Sequence, residues 1–107
     1  MIVSKKDKKN ITQFKKEIEA LIEERRKANE YIDIIHQDEV FNLKGLFILD
    51  SYLDKIENKL KLKEIIFYWV HKLEENSDKI EPYILRGLKI IAGALSHHIS
   101  TGEKIQI

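Results

Sequence analysis

Apolar residues recur every three or four positions along most of this chain, which is the period of an amphipathic α-helix. The first such stretch is predicted to begin at Asn10, which can cap a helix together with Gln13, and to run to about Gln37. Arg25 interrupts its stripe, and we expect that side chain to reach the rim of the core or to pair with a carboxylate from a neighbouring helix. The apolar members of the stripe are Phe14, Ile18, Leu21, Ala28, Ile32 and Ile35.

The middle of the chain predicts a second helix from Asn42 to Lys59 and a third helix beyond it. After Leu60 the apolar stripe continues on a different helical face, which indicates a tight turn or kink near residues 59–63. No glycine or proline enforces that turn, so one long helix is the alternative.

The polar run that ends at Asp78 is the clearest break in the chain, and the last predicted helix follows it. Asp78 and Glu81 have the spacing of a capping box just ahead of Pro82, a residue that the first turn of a helix accepts. This helix is expected to run to about Ser100, and Gly102 supplies its stop signal.

These stretches predict an all-α fold, a compact antiparallel bundle of three to four helices with short connections. A single bundle domain is expected over residues 10–102, preceded by a flexible basic tail over residues 1–9 and followed by a short C-terminal tail over residues 103–107. With 43% hydrophobic and 35% charged residues, the composition is typical of a globular protein that buries its own core. The chain has no cysteine, which excludes disulfides, thiolate nucleophiles and thiolate metal ligands.

Hydropathy argues against a membrane protein, because no apolar run approaches the roughly eighteen residues that a spanning helix needs. The N-terminal lysines follow the apolar residues Met1–Val3 instead of preceding them, which is the wrong order for a secretory signal. We therefore expect a cytoplasmic protein with no membrane span.

Catalytic and metal-binding patterns are sparse. His71 shares a helix face with Glu74 and Glu75, but a zinc site needs three or four ligands, so surface salt bridges are the favoured interpretation. A row of acidic residues on the second predicted helix is likewise interpreted as a solvated face: Asp50, Asp54 and Glu57. No phosphate-binding loop or nucleophile motif occurs. We expect no enzymatic activity, no cofactor and no bound metal.

Three consecutive aromatic residues, Phe67, Tyr68 and Trp69, cannot all face one core from a single helix. Tyr68 is the one that we expect at the surface, as a contact residue for another protein. Trp69, Tyr31 and Tyr83 are the candidates that extend this contact surface. Apolar residues beyond the narrow stripes also favour burial between two copies, so a homodimer is a candidate assembly.

Positive charge is concentrated near the N-terminus of a chain whose formal net charge is only +1. If the protein binds nucleic acid, the candidate phosphate contacts are Lys5, Lys6, Lys8, Lys9, Lys15 and Lys16. Glutamates interleave with the basic residues on the same predicted helix, which favours solubility as the role of these lysines. Nucleic-acid binding is therefore the alternative function, behind protein contact.

In size, all-helical pattern and lysine-rich character the chain resembles the small helical immunity proteins that protect bacteriocin producers, and also phage-encoded or plasmid-encoded regulators. This architectural resemblance implies a small non-enzymatic protein that acts by protein–protein contact, as an inhibitor, an immunity-type protein or a regulator. The sequence does not identify the partner protein.

Overall fold

The computed structural model describes residues 4–27, 34–75 and 82–107, without the side chains of residues 34–37 and 82–83. These ranges contain four α-helices and no strand: α1 (Lys5–Lys27), α2 (Ile34–Leu53), α3 (Lys59–Glu75) and α4 (Pro82–Thr101). α1 packs against α2, α2 against α4, and α4 against α3. The arrangement confirms the predicted all-α bundle.

Contacts between helix ends show that α1 and α2 are antiparallel. Near the end of α1, the Arg25 guanidinium lies 2.9 Å from the Asp38 carboxylate near the start of α2. Near the start of α1, the Asn10 amide donates a 3.1 Å hydrogen bond to the carbonyl of Lys55, just beyond α2. The first of these contacts is the partnership predicted for Arg25, and it confirms that an arginine in an apolar stripe reaches a carboxylate on a neighbouring helix.

α3 and α4 are antiparallel as well. Glu74 near the end of α3 lies 3.4 Å from Lys89 in the first half of α4, while Lys59 at the start of α3 lies 3.2 Å from His98 near the end of α4. The chain therefore reverses direction between α1 and α2 and again between α3 and α4, as short connections in a bundle require.

The core draws on every helix. Its largest fully buried side chains are Phe14 and Ile18 in α1, Leu49 in α2, Ile56 between α2 and α3, Leu62 and Ile66 in α3, and Ile84, Leu88, Ile91 and Leu95 in α4. α2 and α4 approach closely where a Cβ on Gly87 would overlap the ring of Phe41. None of the described helices is both long and apolar enough to cross a bilayer.

The first helix begins earlier than predicted, so the cap assigned to Asn10 is wrong. The Ser4 hydroxyl accepts a 3.1 Å hydrogen bond from the Asp7 backbone amide, which is the geometry of an N-cap residue. Residues 5–9, which were expected in a flexible tail, form the first turns of α1. Asn10 lies inside the helix, and its side chain contacts the carbonyl of Lys55 instead of capping.

The boundary between α1 and α2 also differs from the prediction. Residues 34–37, which were assigned to the first helix, belong to α2. The periodic stripe continues through this region of the sequence, so it gave no sign that a second helix starts at Ile34. The predicted start of the second helix at Asn42 is therefore too late.

A break separates α2 from α3 at residues 54–58, so the alternative of one long helix is wrong and the turn lies before the predicted 59–63. The Asp7 carboxylate holds this break by accepting 3.0 Å hydrogen bonds from the backbone amides of Glu57 and Asn58. The Asn58 side chain in turn accepts a 3.3 Å hydrogen bond from the amide of Lys61 and caps α3.

The last helix ends where the sequence predicts. It begins at Pro82 and ends one residue after Ser100, and Gly102 follows with φ of 73°. The Gly102 amide donates a 2.8 Å hydrogen bond to the carbonyl of His98, which satisfies an acceptor at the helix end. The capping box predicted at Asp78 and Glu81 lies outside the described residues.

A buried tyrosine joins α1 to α2. Tyr52 is 5% exposed, its ring packs edge-on against Phe14 with 5.7 Å between centroids, and its hydroxyl donates to the Glu17 carboxylate. Burial, together with this carboxylate, raises the pKa of Tyr52 from 10.0 to about 12. The Oε2 atom of Glu17 is buried and finds no hydrogen-bond partner among the described residues.

Because of Tyr52, the free energy of unfolding is expected to fall at alkaline pH. An unfolded tyrosine ionises near pH 10, whereas Tyr52 in the bundle keeps its proton until about pH 12, so its contribution is complete below pH 10 and is lost as pH rises through 12. We expect Tyr52→Phe to cost about 1 kcal/mol at neutral pH, because Glu17 loses its buried donor.

Urea unfolding of both proteins across this range measures the difference. The advantage of the native protein over Tyr52→Phe should shrink between pH 10 and 12, and lysine titration, which both proteins share, cancels in the comparison. A constant difference across that interval would contradict the prediction.

Candidate functional site

An open groove lies between α1 and α3, the helices at the two ends of the packing order. It runs along α1 from Lys15 to Arg26 and along α3 from Lys61 to Leu73. The early residues of both helices line one end and the later residues line the other, so the two walls are parallel. We call this feature the α1–α3 groove.

The floor of the α1–α3 groove is apolar. Ile22 from α1 and Ile65 from α3 are buried, whereas Trp69 and Leu73 from α3 are partly exposed and pack against the core. Tyr68 stands at the edge of this floor with 57% of its surface exposed. An aromatic pair beside buried aliphatic side chains is the composition that dominates binding energy in protein interfaces.

The rim of the α1–α3 groove carries both signs of charge. Its basic side chains are Lys15, Arg26, Lys61 and Lys72, and its acidic ones are Glu19, Glu23 and Glu64. Several pair with one another, since Lys61 lies 3.1 Å from Glu64 and Arg26 lies 3.9 Å from Glu23. Each exposed pair contributes little to stability, so breaking these pairs costs little.

The structure describes the side chains of two of the four predicted contact residues, Tyr68 and Trp69. Tyr68 is exposed, and the Lys72 ammonium lies 5.5 Å from the centre of its ring. Trp69 lies in the same groove, half-buried. Tyr31 and the side chain of Tyr83 lie outside the described residues, so their predicted roles stay predictions.

The lysines predicted for nucleic-acid contact lie on the first half of α1, all exposed. Lys5, Lys8, Lys9 and Lys16 line one shallow depression together with Thr12 and Gln13, and we call this surface the lysine face. Lys6 flanks it, and Lys15 turns toward the α1–α3 groove. These six positions were expected on a flexible tail and its neighbouring helix, but from Lys5 onward they lie on one helix.

Neither candidate cluster for metal binding gathers into a site. Among the described residues no group of three or more histidine, aspartate or glutamate side chains could hold a metal ion. Glu74, predicted to share a face with His71, pairs with Lys89. The prediction that Asp50, Asp54 and Glu57 share a helix face is wrong, because α2 ends at Leu53 and the last two lie in the loop beyond it.

Two features of the structure were not predicted from the sequence. The α1 wall of the groove depends on Ile22, which adjoins the predicted stripe at Leu21 but was not assigned to it. The His98 ring lies 2.7 Å from the carbonyl of Glu103, and Ile105 packs against the core. The residues expected to form a C-terminal tail therefore contact the bundle.

Comparison with known proteins gives no family: no family model matches the chain, and neither a curated protein nor a solved structure matches it significantly. The groove and the lysine face are therefore interpreted from their own geometry and charge.

Proposed function

We propose that this protein acts by contact with another protein, whose amphipathic helix lies in the α1–α3 groove. The observation that carries the proposal is Tyr68, more than half exposed, beside the partly buried Trp69 above an apolar floor. Tyrosine and tryptophan supply large contact areas at low entropic cost, and they are enriched among the residues that dominate binding.

The shape of the groove supports a helix as its occupant. Both walls are helices, and the α1 wall from Lys15 to Arg26 is about 16 Å long at the usual rise per residue. That length accommodates about three turns of a third helix. Such a ligand would place apolar residues at positions i, i+3 or i+4, and i+7 against Ile22, Ile65 and Trp69.

The charges of the rim support a protein over a polyanion at this groove. Four basic and three acidic side chains are interspersed along it, so their charges nearly cancel. A helix with charges of both signs flanking its apolar stripe can satisfy such a rim, whereas a row of phosphates would meet Glu19, Glu23 and Glu64.

Site-specific photo-crosslinking in the native cell tests the proposal. A photoreactive phenylalanine analogue replaces Tyr68 in one variant and Phe47 in the control, an exposed aromatic on α2 that does not line the groove. We expect a specific adduct only from position 68, with the attachment sites in the partner spaced at helical period. Adducts of equal yield from both positions, or an adduct to a second copy of this chain, would overturn the proposed occupant.

Alanine substitution then measures the energy of the contact. With the crosslinked partner purified, Tyr68→Ala is expected to weaken binding about 30-fold, or about 2 kcal/mol, while Phe47→Ala changes affinity by less than about twofold. Because both side chains are more than half exposed, neither substitution should alter the fold, and circular dichroism checks this. Unchanged affinity in Tyr68→Ala would show that the groove is not the binding site.

A further inference from the structure

The first half of α1 presents a surface that the groove does not use. Between Lys5 and Lys16 the chain has six lysines and a single acidic residue, Asp7. That carboxylate is 3% exposed and faces inward, where it accepts hydrogen bonds from the amides of Glu57 and Asn58. The exposed side of this segment is therefore entirely basic or neutral.

Helix geometry gathers four of the lysines into one row. The first is Lys5, and the other three follow it by three, four and eleven positions: Lys8, Lys9 and Lys16. These spacings place all four on the side of α1 opposite the buried Phe14. The row is about 16 Å long, and the amide of Gln13 lies within it. A nucleic-acid duplex of that length carries about ten phosphates.

We propose that the lysine face binds the phosphate backbone of a nucleic-acid duplex without reading its sequence. The four ammonium groups supply the charge, and Gln13 supplies an amide donor for a phosphate oxygen. The row is held in place because α1 is tied to the α2–α3 loop through Asp7 and Asn10. The ligand therefore meets lysines that project from a helix whose backbone is already in place.

Two properties of the lysine face favour a duplex over other polyanions. The apolar side chains of the segment, Ile11 and Phe14, are buried in the core, so α1 has no free apolar face to insert into a bilayer. No aromatic side chain lines the face, which removes the stacking platform that proteins use for single strands. The lysine face is therefore suited to electrostatic contact with the regular phosphate backbone of a duplex.

Fluorescence anisotropy with a labelled duplex of mixed sequence tests the proposal. Four phosphate contacts predict that the logarithm of the binding constant falls with the logarithm of salt concentration with a slope of about −3.6, or about 150-fold between 50 and 200 mM salt. The variant Lys5→Gln/Lys8→Gln/Lys9→Gln/Lys16→Gln should lose nearly all of this affinity and its salt dependence.

A matched control variant distinguishes binding by the lysine face from a general effect of the protein's net charge. It also removes four positive charges, at exposed or half-exposed lysines that lie outside the face: Lys27, Lys63, Lys89 and Lys104. We expect this control to retain most of the affinity. No binding by the native protein at 50 mM salt, equal loss in both variants, or tighter binding to phosphatidylserine vesicles than to the duplex would each overturn the proposal.

This surface is distinct from the α1–α3 groove, so the two proposals fail separately. Tyr68→Ala should leave duplex binding unchanged, because Tyr68 lies on α3 and does not line the lysine face. The quadruple lysine variant should leave the Tyr68 crosslink intact, because none of its four lysines lines the groove.

Discussion

Asp7→Ala is expected to lower the free energy of unfolding by about 3 kcal/mol. The Asp7 carboxylate is buried, and each of its oxygens accepts a 3.0 Å hydrogen bond from a backbone amide, one from Glu57 and one from Asn58. These amides lie just before α3, where the partial positive charge of a helix N-terminus favours an anion. Alanine would leave two partly buried donors without their acceptor and would remove the tie between α1 and α3.

Chemical denaturation of matched variants measures this loss. Asp7→Asn keeps one carbonyl acceptor and should lose roughly half as much stability as Asp7→Ala. Asp54→Ala removes an exposed carboxylate from the same α2–α3 loop and should change stability by less than about 0.5 kcal/mol. If Asp7→Ala were as mild as Asp54→Ala, the carboxylate would not be holding the loop.

Asp7 also explains which parts of the fold the sequence could predict. The all-α class and the end of α4 before Gly102 follow from local signals, because helical period and a glycine stop signal act within a few residues. The break between α2 and α3 depends on a residue fifty positions earlier in the chain. Asn58, which caps α3, is a local signal for the turn, but no pattern near Glu57 indicates the contact with Asp7 that holds it.

The start of α1 was misplaced for a related reason. Ser4 and Asn10 are both residues that cap helices, and each has a polar residue three positions later. The structure uses Ser4 as the cap, and the Asn10 side chain instead contacts the Lys55 carbonyl. Choosing between the two requires knowing that α2 ends beside Asn10, which is a tertiary fact.

The candidate site divides along the same line. The exposure of Tyr68 could be predicted because three consecutive aromatic residues cannot all face inward from one helix. The groove beside Tyr68 could not be predicted, because it exists only where α1 brings Ile22 opposite Trp69. The lysine face could be predicted as a cluster of charge, but the contact that holds its helix against the bundle depends on the burial of Asp7.

Gly87→Ala is expected to lower the free energy of unfolding by about 2 kcal/mol, although alanine favours helices over glycine by about 1 kcal/mol. A Cβ at position 87 would overlap the ring of Phe41 on α2 and would lie 2.8 Å from the Asn42 side-chain oxygen. The ring of Phe41 is 2% exposed, so it can move only by displacing other core residues. The close packing of α2 on α4 therefore opposes the substitution.

Gly93 on the same helix supplies the matched control. A Cβ there would meet no atom within 4 Å, so Gly93→Ala should raise stability by up to about 1 kcal/mol through helix propensity alone. Relative to the native protein, the midpoints of thermal and urea unfolding should therefore be lower in Gly87→Ala and higher in Gly93→Ala. A gain in Gly87→Ala equal to that in Gly93→Ala would mean that α4 does not approach Phe41 as closely as described.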